Sequence, residues 1–402
     1  MKQIYLDHAA TTPVDKEVFM AMRPYFDQDY GNPSEPHWWG QEARKAIDEA
    51  REKVANFLGA KTQEIIFTSC ATESINLAHK GLIEAIRETQ DAKRKSSAPH
   101  IITSSVEHKA VLETCRHLEK MGMAQVTYLP VDKDGLVKVE DVEKSIKPET
   151  VLVSIMYVNN EVGTIEPIRE IGETISQINK LRMENGELKI YFHTDATQAI
   201  QYLDCQVAKL GVDLLSLSGH KFYAPKGVGA LYFKKGTPMV RQQDGGGQEY
   251  RLRAGTENVP YIVGLGKAIE GVRSQGSGVR GQVEKLKDKL IKGILKIPKV
   301  KLVGDSKKNA PHIATFLVDG VEGEAMLLLL SEKGIAASSG SACTSGLLEP
   351  SHVLTAMGYR PEQAHGSLRF SLGQGTNDEE IDCVIKVLPE IIQRLRKMAP
   401  KL

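Results

Sequence analysis

A chain of 402 residues, 41% hydrophobic and 26% charged, has the make-up of a soluble globular protein long enough for two domains. Lys plus Arg number 52 against 51 Asp plus Glu, a balance that argues against a polyanion-binding protein, so no nucleic-acid partner is expected. No apolar run is long enough to span a bilayer, and the opening Met1-Lys2-Gln3-Ile4-Tyr5-Leu6-Asp7 lacks a signal-peptide pattern. No membrane partner is therefore expected, and the cytoplasm is the expected location.

Taken in chain order, Ala43, Ala46, Ala50, Val54 and Phe57 recur at helical spacing and Gly59 follows as a stop signal. Short β-rich runs come next at Glu64 to Phe67, Ile101 to Thr103 and Val151 to Met156. Three more follow at Lys189 to Phe192, Val212 to Leu215 and Val228 to Phe233, with helical segments such as Lys109 to Lys120 and Ile168 to Leu181 between strands. The polar stretch Asp91 to Ser97 reads as a solvated loop. Apolar strands spaced by helices predict an α/β fold, a mainly parallel sheet covered on both faces. Beyond Gly245 the pattern changes to a helix from about Val283 to Ile297, a strand from Ile313 to Val318, and helices at Gly323 to Lys333 and Asp378 to Lys397. That mixture predicts a smaller α+β domain.

The five cysteines, Cys70, Cys115, Cys205, Cys343 and Cys383, are odd in number, with no CxxC pair and no Cys/His cluster at metal-ligand spacing. Neither a disulfide framework nor a metal site is expected, and four of the five read as small buried hydrophobes. Cys343 differs. It lies in Ser338-Ser339-Gly340-Ser341-Ala342-Cys343-Thr344-Ser345-Gly346, a small, polar segment that reads as an exposed mobile loop.

Ligands of open α/β sheets gather beyond the carboxyl ends of the strands, so the residues placed there carry the argument. Thr68-Ser69-Cys70-Ala71-Thr72-Glu73 opens a helix and is either a phosphate cradle or an ordinary N-cap made by Ser69 or Thr72. His108 stands at a strand-to-helix junction, and Asn159-Asn160 follows the Val151 strand. Asp195 and Gln198 follow the Lys189 strand, and Ser218-Gly219-His220-Lys221 follows the Val212 strand. A lysine and a carboxylate on adjacent strand ends suit pyridoxal phosphate: the amine binds the aldehyde and the carboxylate keeps the ring nitrogen protonated. A structural Asp195–Lys221 ion pair would explain the charges but not the surrounding Ser, His and Gly.

With these residues in place, the chain resembles the cysteine desulfurase family across almost its whole length. The matching motifs, in order, are Tyr5-Leu6-Asp7-His8-Ala9-Ala10-Thr11-Thr12-Pro13, Gly31-Asn32-Pro33-Ser34, Ala71-Thr72-Glu73-Ser74 and Glu107-His108-Lys109. They continue with Asn159-Asn160-Glu161, Asp195-Ala196-Thr197-Gln198, Ser218-Gly219-His220-Lys221, Gly245-Gly246-Gly247-Gln248-Glu249, Arg253-Ala254-Gly255-Thr256 and the Cys343 segment. The resemblance implies a fold-type I, class V aminotransferase-like homodimer. Its large cofactor-binding domain would span residues 15–264, and its small domain residues 1–14 and 265–402, carrying Cys343.

It further implies that Lys221 carries pyridoxal phosphate, His108 stacks on the ring and acts as acid or base, Asp195 meets the pyridine nitrogen and Gln198 the phenolate oxygen. Thr72, Ser218 and His220 would hold the phosphate, joined by Thr256 of the partner subunit, and Ala71 and Asn160 would also bind the cofactor. Arg369 would clamp the substrate carboxylate, since a guanidinium offers two parallel donors, and Asn160 and Asn32 would line the substrate pocket. Cys343 would accept sulfur from L-cysteine as a persulfide and pass it to acceptor or iron–sulfur scaffold proteins. The alternatives are a selenocysteine lyase or other class V aminotransferase, or a non-catalytic sulfur-relay protein. Three features depart from the family pattern: Asp244 where many relatives carry His, the Glu35-Pro36 and Trp38-Trp39 pairs, and an end at Leu402 without the longer tail used in docking.

Overall fold

The computed structural model of the protein describes residues 3–92, 98–339 and 349–398. Its strands are β1 (Ile4–Tyr5), β2 (Ile65–Thr68), β3 (His100–Ser104), β4 (Gln125–Leu129), β5 (Thr150–Ser154) and β6 (Tyr191–Asp195). They continue as β7 (Leu214–Ser218), β8 (Gly229–Phe233), β9 (Val300–Leu302), β10 (Ile313–Val318), β11 (Ile335–Ala336) and β12 (Ser367–Ser371). Seven form the main sheet in the order β2-β8-β7-β6-β5-β3-β4, parallel except for β8, which runs against both neighbours. The expected α/β architecture is therefore present.

Both faces of this sheet are apolar because neighbouring residues on a strand point to opposite sides. Ile102, Val153 and Leu215 pack with the helices Trp38–Leu58 and Ile168–Glu184, whereas Ile101, Leu152 and Leu214 pack with Ala71–Ala92 and Lys109–Lys120. The first of these helices buries Ala43, Ala46, Ala50 and Val54 at the expected spacing and ends on Gly59, whose φ of 67° is the left-handed conformation that glycine adopts without penalty. A second apolar cluster joins β1, β10, β12 and the helix Asp378–Met398 with Val283, Leu286, Leu290 and Ile294.

Several boundaries differ from the sequence expectations. The helix expected from Val283 begins at Val259 and runs to Ile294, with a break at Gly276 (φ 54°). Its first half is rich in glycine, which hides helical propensity but allows close contact: a Cβ on Gly266 would lie 2.8 Å from Ala50. β6 and β7 are shifted two residues downstream because polar side chains continue them into the core. His193 there bonds Ser154 Oγ (2.8 Å) and Ser216 Oγ (2.9 Å) across three strands. β4 was not anticipated, being a partly exposed edge strand with a weak apolar signal. Asp91 and Ala92 belong to the helix Ala71–Ala92 rather than to a loop, and 93–97 lie outside the described residues. Among the described residues no helix is long and apolar enough to cross a membrane, and no group of acidic, His or Cys side chains is arranged to hold a metal.

Candidate active site

β3, β5, β6 and β7 run parallel, and β2, two antiparallel pairings from β7, points the same way. Their carboxyl ends therefore share one rim. The residues just beyond them line a single cavity: Cys70, Ala71 and Thr72 after β2, His108 after β3, and Met156, Val158 and Asn160 after β5. Asp195, Thr197 and Gln198 at the end of β6 complete it with Ser218, His220 and Lys221 after β7.

Lys221 sits on a short 3-10 turn, and its amine donates to the carbonyls of Ala9 and Ala10 (both 2.7 Å) rather than pairing with Asp195. Burial and the nearby Arg369 guanidinium push its pKa down to about 8, against the pull of Asp7 and Asp195. A share of the amine is thus unprotonated near neutrality, as a nucleophile requires. Asp195 is buried, and its Oδ1 accepts the Thr197 amide at 2.9 Å. The surrounding protein and the Lys221 and Lys109 ammonium groups hold the His108 pKa below the ordinary imidazole value, against the Asp195 carboxylate. His108 Nδ1 also accepts the Ala110 amide (3.1 Å), which caps the helix Lys109–Lys120 and fixes the ring at its start. Burial, with Lys221 and Lys226, brings His220 down to about 4, so its ring is neutral and Nδ1 meets Thr11 Oγ1 at 3.2 Å. Gln198 Nε2 donates to Ala9 O (2.8 Å), and its Oε1 faces His312 at 3.4 Å.

The helix Ala71–Ala92 points its N-terminus into the same cavity, where its first amides are free of intrahelical partners. The two capping alternatives resolve differently: the Ser69 amide donates to Glu73 Oε2 (2.7 Å), and Thr72 instead lines the cavity. Buried Ser218 Oγ and Thr197 Oγ1 have no hydrogen-bond partner among the described residues. Polar atoms buried without partners are costly, so these hydroxyls mark a place built for a polar ligand.

Arg369, on β12, stands just behind this wall. It donates to the Asn160 carbonyl (2.7 Å) and to Asp7 Oδ1 (2.9 Å), and its Nε is buried without a partner. Asn32 and Thr256 do not line the cavity: both are exposed, and Asn32 Oδ1 accepts the Ser34 amide (3.0 Å). Cys343 lies outside the described residues. Cys115 and Cys205 are buried as expected, whereas Cys70 and Cys383 are only half-buried and Cys70 lines the cavity, because it lies at the helix mouth rather than under it. Sequence reasoning assigned no role to Asp7 or to the Ala9 and Ala10 carbonyls, although the motif containing them was legible.

The same architecture and chemistry recur in known proteins. Residues 4–384 match the family described as Aminotransferase class-V. A protein named cysteine desulfurase IscS from Methanosarcina thermophila is 50% identical, covering 99% of this chain and 94% of its own length. The human protein named cysteine desulfurase is 44% identical, covering 100% of this chain and 84% of its own. The chain belongs to the cysteine desulfurase family. A solved structure titled NifS-like protein superposes with a TM-score of 0.88 at 39% identity, covering 98% of this chain and 100% of that one. Another, titled SspA in complex with cysteine, gives 0.76 at 39% identity over 92% of this chain and 99% of that one.

Class V aminotransferases depend on pyridoxal phosphate, and the donor set here fits that group. A reactive lysine, a buried carboxylate, a helix N-terminus and an orphaned hydroxyl on Ser218 match an aldehyde, a ring nitrogen and a phosphate.

Proposed function

We propose that this chain is a pyridoxal-phosphate-dependent cysteine desulfurase, a transferase that moves sulfur from L-cysteine to Cys343 and leaves L-alanine. The observation that carries this reading is the convergence of Lys221, Asp195 and His108 with a helix N-terminus on one cavity. Lys221 would hold the cofactor covalently, Asp195 its ring nitrogen, Gln198 its phenolate oxygen, and Ala71, Thr72, Ser218 and His220 its phosphate. When bound, the cofactor supplies an electron sink for charge that develops at the substrate α-carbon.

The chain's own residues supply the rest. Arg369, held on two sides by Asp7 and the Asn160 carbonyl, keeps Nε free to take a substrate carboxylate oxygen. Asn160, which lines the cavity, would bound the substrate pocket, whereas Asn32 stands outside it in this chain. The Lys221 amine, depressed to about 8, moves the proton at the α-carbon. His108, its pKa held low, takes or returns a proton at the substrate sulfur. The Cys343 thiolate attacks that sulfur: the C–S bond breaks, an S–S bond forms, and the carbon fragment takes up a proton to leave as alanine. One cysteine and one thiol give one alanine and one persulfide, with no outside oxidant or reductant.

The reading extends to a homodimer in which Thr256 of the partner subunit joins the phosphate, which the exposure of Thr256 away from its own cavity supports. The two apolar clusters support a large domain carrying the cavity and a small one carrying Cys343. Acceptors would be sulfur-carrier or iron–sulfur scaffold proteins in the cytoplasm.

Two variants test the assignment. Cys343→Ala keeps the visible cofactor absorption but loses alanine formation from L-cysteine, whereas Lys221→Ala loses the wild-type absorption. A Cys343→Ala protein that formed alanine at the wild-type rate would show that this thiol is not the acceptor.

A further inference from the structure

Glu161 has no task in the mechanism above, yet it is almost fully buried, at 8% exposure. A carboxylate in such a place is costly unless hydrogen bonds offset its lost hydration. Here the bond comes from Ser351, whose hydroxyl donates to Glu161 Oε2. The same hydroxyl accepts the Leu354 amide (3.1 Å), making Ser351 the N-cap of the helix His352–Ala356. His352 reinforces the contact, with Nδ1 at 4.0 Å from Glu161 Oε1 and Nε2 at 2.9 Å from the Glu107 carbonyl.

The turn that carries Glu161 is rigid. Buried Asn159 accepts the Glu161 and Val162 amides at 2.9 and 3.0 Å and donates to the Val106 carbonyl at 2.9 Å. Thr315 Oγ1 donates to the Glu161 carbonyl at 2.5 Å. Between Asn159 and Glu161, Asn160 lines the cavity and binds Arg369 through its carbonyl. Arg369 in turn exchanges two backbone bonds with Ser338 (3.1 and 2.7 Å). Ser338 and Ser351 flank Cys343, one on each side in sequence. Both flanks thus reach the wall that carries Asn160 and Arg369, one by β-bridging and the other through the Glu161 carboxylate, the His352–Glu107 contact and buried Val353 and Leu354.

Resting on the desulfurase reading, we infer that Glu161 is a positioning residue for sulfur transfer, fixing the downstream anchor of the Cys343 segment at Ser351 against the substrate pocket. It does not line the cavity itself. Its loss should slow the step that needs Cys343 and spare the steps that do not.

The test uses the holoenzyme with two substrates. L-Cysteine needs the Cys343 thiol, whereas β-chloro-L-alanine loses chloride without any thiol. Glu161→Ala should lower kcat for alanine formation from L-cysteine by roughly tenfold, the scale of a lost hydrogen bond to a charged group, with KM unchanged. Chloride release from β-chloro-L-alanine and the visible cofactor spectrum should stay at wild-type values. Ser351→Ala should reproduce this split, and Glu161→Gln should restore the rate because its amide oxygen still accepts the Ser351 hydroxyl. Wild-type alanine formation in both Glu161→Ala and Ser351→Ala, or an equal fall in both reactions, overturns this inference alone. Wild-type protein that forms no alanine overturns the desulfurase reading and this inference with it.

Discussion

Lys221 illustrates how residue-scale electrostatics prepare the site. Its amine is drawn down to about 8 by burial and by Arg369, while Asp7 and Asp195 oppose the shift. Only the unprotonated amine attacks an aldehyde, so covalent capture of added pyridoxal phosphate by the apo protein should accelerate as pH rises through about 8 and then level off. Arg369→Gln should move that midpoint upward, because it removes a cation and leaves Asp7 unpaired. Growth of the visible absorption after mixing, followed across pH, measures both; a midpoint that stayed put would show that Arg369 does not act on Lys221. Lys221, Asp195 and His108 were legible in the sequence because each directly follows an apolar strand run. The partner of Arg369 was not, since Asp7 lies 362 positions away and only the folded chain brings the two together.

Among the elements, the helix Val259–Ile294 was the hardest to read. Its glycine-rich first half carries little helical signal, yet at Gly266 the absent side chain is what lets it approach the helix Trp38–Leu58. Gly266→Ala would press a methyl group against the Ala50 backbone at 2.8 Å and should destabilise the fold by about 1–3 kcal/mol, as overpacking does. Gly271, on the same helix, has open space where a Cβ would go, so Gly271→Ala should stabilise by about 0.5–1 kcal/mol. Urea denaturation of the two variants should give opposite signs, and a shared sign would contradict the packing account. The strands and the helices with clear apolar periodicity were read to within a few residues. β4 is half-exposed at the sheet edge, and at the downstream ends of β6 and β7 buried polar residues interrupt the apolar run, so the apolar pattern there was weak.

For the whole molecule, the N-terminal segment joins the apolar cluster around β10 and β12 to the cavity. Ile4 and Leu6 pack in the smaller cluster, Asp7 holds Arg369, Ala9 and Ala10 receive the Lys221 amine, and the Thr12 amide donates to the His220 carbonyl (2.8 Å). A few consecutive residues thereby set Arg369 and Lys221 relative to each other. The order of the motifs made the family legible from the sequence, but this stitching required the fold. Stacked Trp38 and Trp39, with ring centroids 4.2 Å apart, are exposed, and Trp39 also faces the rings of Tyr30 and His37 at 6.3 and 6.4 Å.

The proposed function stands on sulfur passing from substrate to Cys343 while alanine leaves. Anaerobic incubation of the purified holoprotein with L-cysteine, with alanine quantified and the Cys343 peptide weighed by mass spectrometry, reads both products at once. Alanine together with the mass of one extra sulfur atom on that peptide is expected in a single turnover. Bound pyridoxal phosphate with neither product would rule out transfer to Cys343.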